Sequence, residues 1–267
     1  MAQLEGKRAV VTGAASGIGR ATSLLFAAHG ARLVIVDRTA EELGELAAEI
    51  EEAGGSVVML TGDISDESTA ENIVETCTEE FGSIDIYYAN AGISGELLPL
   101  TRYSADAMQR VLAVNLLGPM LAIKHAAPAM IEGGGGSILM TASVAGLGGN
   151  AGPAVYSATK AGVINLAKSA ASELIGTNVR VNAICPGLIE TGMTRLLFDS
   201  AREKGTLEKV GQLNPLSRHG APEEIAAAAL FLASEASSYV NGQAIVVDGG
   251  LSASLPFAPA HVLRAGH

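Results

Sequence analysis

Tryptophan is absent, and five tyrosines and five phenylalanines bring the aromatic content to only 4% of 267 residues. The core must therefore be built from aliphatic side chains and alanine. Cysteine is almost as scarce: Cys77 and Cys185 stand far apart and match neither a disulfide framework nor a zinc ligand set. Basic residues are in deficit, with 17 Lys+Arg against 28 Asp+Glu and a formal charge of −11. That balance argues against nucleic acid or an anionic membrane as the main partner, although it leaves room for a local basic pocket. Met1–Arg8 lacks the apolar stretch of a secretory signal, and no run approaches the roughly 18 apolar residues of a membrane span. The expectation is a soluble, reduced, cytoplasmic protein. Glycine, in contrast, is abundant at 32 residues, above the usual ~7%.

Short β-branched runs alternate with amphipathic stretches along nearly the whole chain. Seven segments read as strands: Arg8–Thr12, Arg32–Asp37, Ser56–Leu60, Ile84–Ala89, Ser137–Thr141, Val179–Ile184 and Ala244–Val247. They are apolar on both faces, as strands of a parallel sheet covered by helices on either side must be. Between them lie helical patterns at Gly17–His29, Ala40–Ala53, Asp66–Phe81, Ala105–Ile131, Ala154–Ile175 and Pro222–Ala233. Ser104 and the Pro222-Glu223-Glu224 turn mark helix starts. A β-α order repeated this regularly predicts an α/β fold, a single doubly wound Rossmann-type domain over residues 1–250 with right-handed crossovers. Two segments leave the alternation: a polar insertion at Gly192–Leu213, read as a lid, and a tail at residues 251–267.

Thr12-Gly13-Ala14-Ala15-Ser16-Gly17-Ile18-Gly19 stands between the first strand and the first helix. Its glycines let the backbone turn tightly against a pyrophosphate, and the amides of the helix N-terminus then face the negative charge. Asp37 ends the second strand some twenty residues on, where a carboxylate would accept both adenosine ribose hydroxyls and repel a 2′-phosphate. NAD is therefore expected, with NADP less favoured. Arg38 is the counter-argument, since a guanidinium there could pair with that phosphate. Asp63, in Gly62-Asp63-Ile64-Ser65, is placed to accept from the adenine amino group or to act as an ordinary turn residue.

Tyr156 and Lys160 are four residues apart on a helical pattern, so phenol and ammonium share a face. A free phenol, with a pKa near ~10, is a poor acid–base catalyst at neutral pH. A neighbouring ammonium stabilises the phenolate and is expected to lower that value. Ser143 follows the fifth strand, at the carboxyl edge where open α/β sheets bind ligands, and would hold a substrate oxygen.

With these motifs in this order, the chain resembles the short-chain dehydrogenase/reductase family in its short form of about 250 residues. The resemblance runs from Gly6 to Gly250. Beyond the glycine turn and Ser143, Tyr156 and Lys160, it rests on Asn90-Ala91-Gly92, Asn115, and Pro186-Gly187 with Ile189 and Thr191. It implies a seven-stranded parallel sheet of order 3-2-1-4-5-6-7. It also implies that Tyr156 is the acid–base, that Ser143 orients the substrate oxygen, and that Lys160 binds the nicotinamide ribose and tunes Tyr156. Asn115 would link Lys160 to solvent through water. Gly13, Ser16, Gly17, Ile18, Gly19, Asp37, Arg38, Asp63, Ile64, Asn90, Ala91 and Gly92 would hold the adenosine and pyrophosphate side. Pro186, Gly187, Ile189, Thr191 and Met193 would meet the nicotinamide, and no metal is required.

Ile93, Leu97, Leu98, Val144, Leu147, Leu188 and Met193 flank this site, with Leu196, Leu197 and Phe198 on the expected lid. They suit a neutral, fairly hydrophobic secondary alcohol or ketone better than an acidic one. The alternatives are a 3-oxoacyl-thioester reductase using NADPH, and a dinucleotide-sensing protein without turnover, which predicts a damaged Ser/Tyr/Lys set. A homo-oligomer is expected, a tetramer foremost, through the small-residue helix Ala154–Ile175 and the apolar Leu251–Phe257. The tail Pro256–His267 is read two ways, as reaching a neighbouring subunit or as disordered.

Overall fold

The computed structural model describes residues 2–149 and 151–254. Seven strands, β1 (Arg8–Thr12), β2 (Arg32–Asp37), β3 (Ser56–Thr61), β4 (Ile86–Ala89), β5 (Gly136–Thr141), β6 (Val179–Pro186) and β7 (Ala244–Val247), form one sheet. All pairs are parallel, in the order β3-β2-β1-β4-β5-β6-β7. Strand order reverses between β1 and β4, so the crevice that such a reversal opens lies beyond Thr12 and Ala89.

Alternation along each strand feeds two separate cores. Val10, Val34, Ile138 and Val181 face α3 (Glu67–Phe81), α5 (Gly118–Glu132) and α6 (Ala154–Glu173), with Ile73, Ala126 and Val163 packed against them. Val11, Leu33, Ile35 and Leu139 face α1 (Gly17–Ala28), α2 (Ala40–Glu52) and α8 (Pro222–Ala233), meeting Phe26, Leu43 and Ile225. Both faces being covered is why the strands read as continuous apolar runs rather than as alternating ones. Cys77 and Cys185 are buried free thiols, and burial pushes them up to about 12 and about 11, so both are inert at neutral pH.

The single helix expected over Ala105–Ile131 is interrupted. It consists of α4 (Ala105–Leu112), a π-helical turn at Ala113–Leu117, and α5. Within the π turn Asn115 serves backbone outside the helix: its Oδ1 accepts from the Ile93 N–H at 2.8 Å and its Nδ2 donates to the Ile93 carbonyl at 2.9 Å. The wider turn also seats Gly118 on Ile64, where a Cβ would come within 2.1 Å of the Ile64 Cδ1. By length and mean hydropathy alone, Ala105–Glu132 would be long and apolar enough to cross a membrane, although Asn115, Lys124 and His125 interrupt its apolar run. Half of its most apolar window is buried within the protein, and core packing accounts for that apolar character.

Gly192–Leu213 folds as a turn at Gly192–Thr194, the helix α7 (Arg195–Glu203) and a turn at Leu207–Lys209. Of the three apolar residues singled out on the expected lid, Leu196 and Leu197 are exposed, whereas Phe198 is fully buried. Phe198 meets the His219 ring edge-on at 4.9 Å, which anchors α7 to the body, and it also borders the cleft between α1 and α7. His219 is half-buried between Phe198 and Glu190, 3.5 Å from the carboxylate. The tail proposed as an interface, from Leu255 onward, lies outside the described residues.

Candidate active site

The glycine turn is fastened to the segment after β4. Thr12 Oγ1 accepts from the N–H groups of Asn90 and Ala91 at 3.1 and 3.2 Å, and Asn90 Nδ2 donates to the Thr12 carbonyl at 3.1 Å. Thr141 Oγ1, at the end of β5, is 2.9 Å from Asn90 Oδ1. Close approach is what requires glycine here. A Cβ on Gly19 would stand 2.0 Å from the Gly13 carbonyl oxygen, and one on Gly13, where φ is +66°, would stand 2.8 Å from Ala91 Cα. Gly17 lies against Thr191, which brings the base of the α7 segment onto the turn.

Ser16 is the N-cap of α1 and makes no side-chain cap bond, which leaves its hydroxyl and the first amides of the helix facing outward together. That donor set suits a pyrophosphate. Asp37 ends β2 with Oδ2 accepting from the Ala15 N–H at 3.1 Å and Oδ1 from the Arg38 N–H at 2.7 Å, so its carboxylate is oriented toward the turn. The Arg38 guanidinium lies 3.5 Å from Asp63. Burial pushes the Asp63 carboxyl up, but hydrogen bonds from Ser65 and the nearby Arg38 outweigh it and hold the group below its ordinary value. The glycine cradle, the free donors of α1 and the Asp37 carboxylate together fit a dinucleotide.

Ser143 sits two residues beyond β5 and is buried, with Oγ accepting from the Ala145 N–H at 3.1 Å. Tyr156 and Lys160 lie on the first turns of α6, with Lys160 Nζ 5.6 Å from the centre of the Tyr156 ring. Nζ donates to the Thr141 carbonyl at 2.6 Å. Thr159 Oγ1 joins the Tyr156 carbonyl, at 2.7 Å, to Asn115 Nδ2, at 3.2 Å. Gly92 closes the group: the Cβ it lacks would lie 3.3 Å from Asn115 Oδ1 and 3.4 Å from Lys160 Nζ. Asn115 is thus a neighbour of Lys160, held by Ile93 and Thr159.

The electrostatics differ from the sequence expectation. Burial pushes the Tyr156 phenol above its ordinary value, and the Ser143 hydroxyl only partly offsets this. Burial also lowers Lys160 to about 8. The ammonium faces a carbonyl rather than the phenolic oxygen, so desolvation governs both groups and pushes each toward its neutral form.

On the other side, Gly187 follows β6 so closely against β7's end that a Cβ would lie 2.7 Å from Asp248 Cα. Ile189 bridges to Gly220, and the Thr191 N–H donates to Thr194 Oγ1 at 3.0 Å, while Met193 is exposed. A cleft of about 480 Å³ between α1 and α7 is lined by Gly17, Thr191 and Gly192 among others. Sequence reasoning missed Thr12, Thr141 and Thr159, whose hydroxyls hold the other groups in place. Thr12 and Thr141 carried a readable signal, each being the last residue of a strand that reaches the edge where ligands bind.

Residues 13–252 match a family model described as enoyl-(acyl carrier protein) reductase. The chain is 45% identical over 249 residues to the 3-oxoacyl-[acyl-carrier-protein] reductase FabG of Thermotoga maritima, covering 93% of this chain and 99% of that one. The crystal structure of levodione reductase superposes with a TM-score of 0.89 at 37% identity, covering 94% of this chain and 100% of that one. L-sorbose reductase from Gluconobacter frateurii, solved with NADPH and L-sorbose, gives a TM-score of 0.89 at 32% identity, covering 96% and 100%.

Proposed function

Because the chain belongs to the short-chain dehydrogenase/reductase family, we propose that it interconverts a fairly hydrophobic secondary alcohol and its ketone with NAD(H). One observation carries the reading: Ser143, Tyr156 and Lys160 converge beside Gly92 at the carboxyl edge of the sheet, next to a glycine turn built to meet a pyrophosphate. The amides of Ser16–Gly19 would hold the pyrophosphate and Asp37 the adenosine ribose, with Asp63, Ile64 and Asn90–Gly92 alongside. Lys160 would take the nicotinamide ribose, and Pro186, Gly187, Ile189, Thr191 and Met193 would border the nicotinamide. When bound, the nicotinamide gives or accepts the hydride. Tyr156 Oη gives a proton to the carbonyl oxygen in reduction and takes it back in oxidation, while the Ser143 hydroxyl holds the same oxygen. Cytoplasmic location and a homo-oligomer, foremost a tetramer, complete the proposal.

The raised phenol has a directional consequence. Reduction needs the protonated phenol and oxidation the phenolate. Reduction should therefore stay flat through neutral pH, and oxidation should climb into the alkaline range. The Ser143 hydroxyl is the group that favours the phenolate, so Ser143→Ala should move the oxidation limb to still higher pH as well as lowering the rate. Initial rates in both directions across pH check this; an oxidation limb below neutral would contradict it.

Preference for NAD rests on Asp37 and on Arg38 lying toward Asp63 rather than free. Asp37→Ala removes charge-assisted bonds of about 1.5–3 kcal/mol. It should weaken NADH roughly tenfold or more and narrow the gap to NADPH, measured as the ratio of kcat/KM values. The similarity to 3-oxoacyl-[acyl-carrier-protein] reductase favours a second reading, an NADPH-dependent reductase of 3-oxoacyl thioesters. Rates on an acetoacetyl thioester with each cofactor separate the two: a strong NADPH preference on the thioester, with simple ketones ignored, would replace the first reading.

A further inference from the structure

Behind α7, on the side away from the glycine turn, lies a second cleft of about 450 Å³, within the range of small-molecule pockets, roughly 300–1,000 Å³. Its apolar wall is made by Leu188, Leu197, Ala201, Leu213 and Leu251. Leu188 follows directly on Gly187, at the end of β6, and β6 is the hydrogen-bonded neighbour of β5, the strand that leads to Ser143. One wall of the cleft therefore stands at the carboxyl edge of the sheet, one strand over from the one that leads to Ser143. Leu213 and Leu197 are 88% and 49% exposed, apolar surface that an occupant would cover.

Its charge runs against that of the molecule. The chain as a whole carries −11, yet the cleft is lined by Lys204 and Lys209 and, among the described residues, by no acidic one. Neither ammonium is within ion-pair distance of a carboxylate among the described residues, whereas the Arg202 beside them is paired with Glu190 and Asp199. Glu203 and Glu208, their neighbours in sequence, are not part of the lining. Two unpaired cations at the rim of an apolar wall are complementary to one kind of small molecule, an apolar body ending in an anion.

We propose that this cleft is the outer compartment of the substrate site and that it selects ketones or alcohols carrying an anionic group at the far end of an apolar chain. The inference rests on the oxidoreductase reading above. It keeps the hydrophobic body expected from the sequence and replaces the neutral end with a charged one.

Matched probes test it. The full chain with NADH should reduce 7-oxooctanoate with a higher kcat/KM than its methyl ester. The double variant Lys204→Gln/Lys209→Gln should bring that acid-to-ester ratio down toward one, a loss of about 3- to 10-fold for exposed charge pairs. The preference should shrink with added salt, as screening requires. A thioester arm, with acetoacetyl phosphopantetheine, separates a carboxylate from a phosphate as the anion read by the lysines. An ester equal to or better than the acid, or a ratio unmoved in the variant, overturns the proposal. Octanoate titrated calorimetrically into the protein gives a readout independent of turnover: binding should be measurable and weaker in the double variant. No binding removes the compartment whatever the kinetics show. Binding with no reduction of any ketone leaves the compartment standing and removes the oxidoreductase reading for this substrate class.

Discussion

Replacing Tyr156 by phenylalanine is expected to lower both reduction and oxidation by about 10³-fold, within the 10²–10⁴ range for loss of a positioned acid–base group. NADH binding should remain nearly intact. The ring stays in place in this variant: it packs against Gly152, whose missing Cβ would sit 3.1 Å from Tyr156 Cδ1, and phenylalanine preserves that contact. Only the proton carrier is removed. Among the groups beside it, Ser143 is an alcohol that cannot ionise usefully at neutral pH, and Asn115 is an amide held by Ile93 and Thr159. Lys160, lowered to about 8 by burial, is the one neighbour able to donate a proton. A residual rate that fades as pH rises through about 8 would identify it. Steady-state rates together with fluorescence titration of NADH separate chemistry from binding, and full turnover in the phenylalanine variant would remove the phenol from the mechanism.

Gly19→Ala should have the second large effect, on stability and on cofactor affinity together. The added Cβ would stand 2.0 Å from the Gly13 carbonyl oxygen and 2.8 Å from Asn90 Nδ2. Neither can yield freely, because one is backbone and the other also holds the Thr12 carbonyl. Overpacking of this kind costs about 1–3 kcal/mol, or a fall in Tm of about 3–10 °C for a domain of this size. The displaced turn should also lose most of its NADH affinity. Gly44→Ala is the control: its Cβ would meet nothing within 4 Å. Placed inside α2, that change should stabilise the protein by about 0.5–1 kcal/mol. If Gly19→Ala melts and binds like the unaltered protein, the turn is not the cofactor cradle.

The sheet could be read from the chain because parallel strands covered on both faces leave an unambiguous mark, uninterrupted apolar runs such as Leu33–Val36 and Ile138–Met140 separated by helix-length intervals. The glycine turn could be read because close backbone contact tolerates no Cβ, so composition records geometry directly. Asn115 lies inside one continuous helical pattern in the sequence, and the π turn that holds it is not visible there. Its amide is spent on Ile93, 22 residues earlier, and a bond of that span leaves no periodic trace. Leu196 and Phe198 look alike on the expected lid, because an apolar residue there reads the same in sequence whether it is exposed, as Leu196 is, or buried against His219, as Phe198 is.

Local chemistry and spacing were thus enough to give the strand and helix alternation and, through the resemblance they carry, to point to the family that the comparisons show and to candidate side chains for the reacting site. The protonation of those side chains was not legible there: the ammonium is expected to lower the phenol, whereas burial raises it. Four residues of separation place an ammonium beside a phenol, but the balance between attraction and desolvation depends on how much water each retains and where the ammonium hydrogen bonds. Lys160 donates to the Thr141 carbonyl, on a strand brought beside α6 by folding, and both titrating groups are buried. The same holds for the cleft behind α7: Leu188, Lys204, Lys209 and Leu251 are spread over 64 positions of the chain, and only their convergence at the sheet edge sets two cations against an apolar wall.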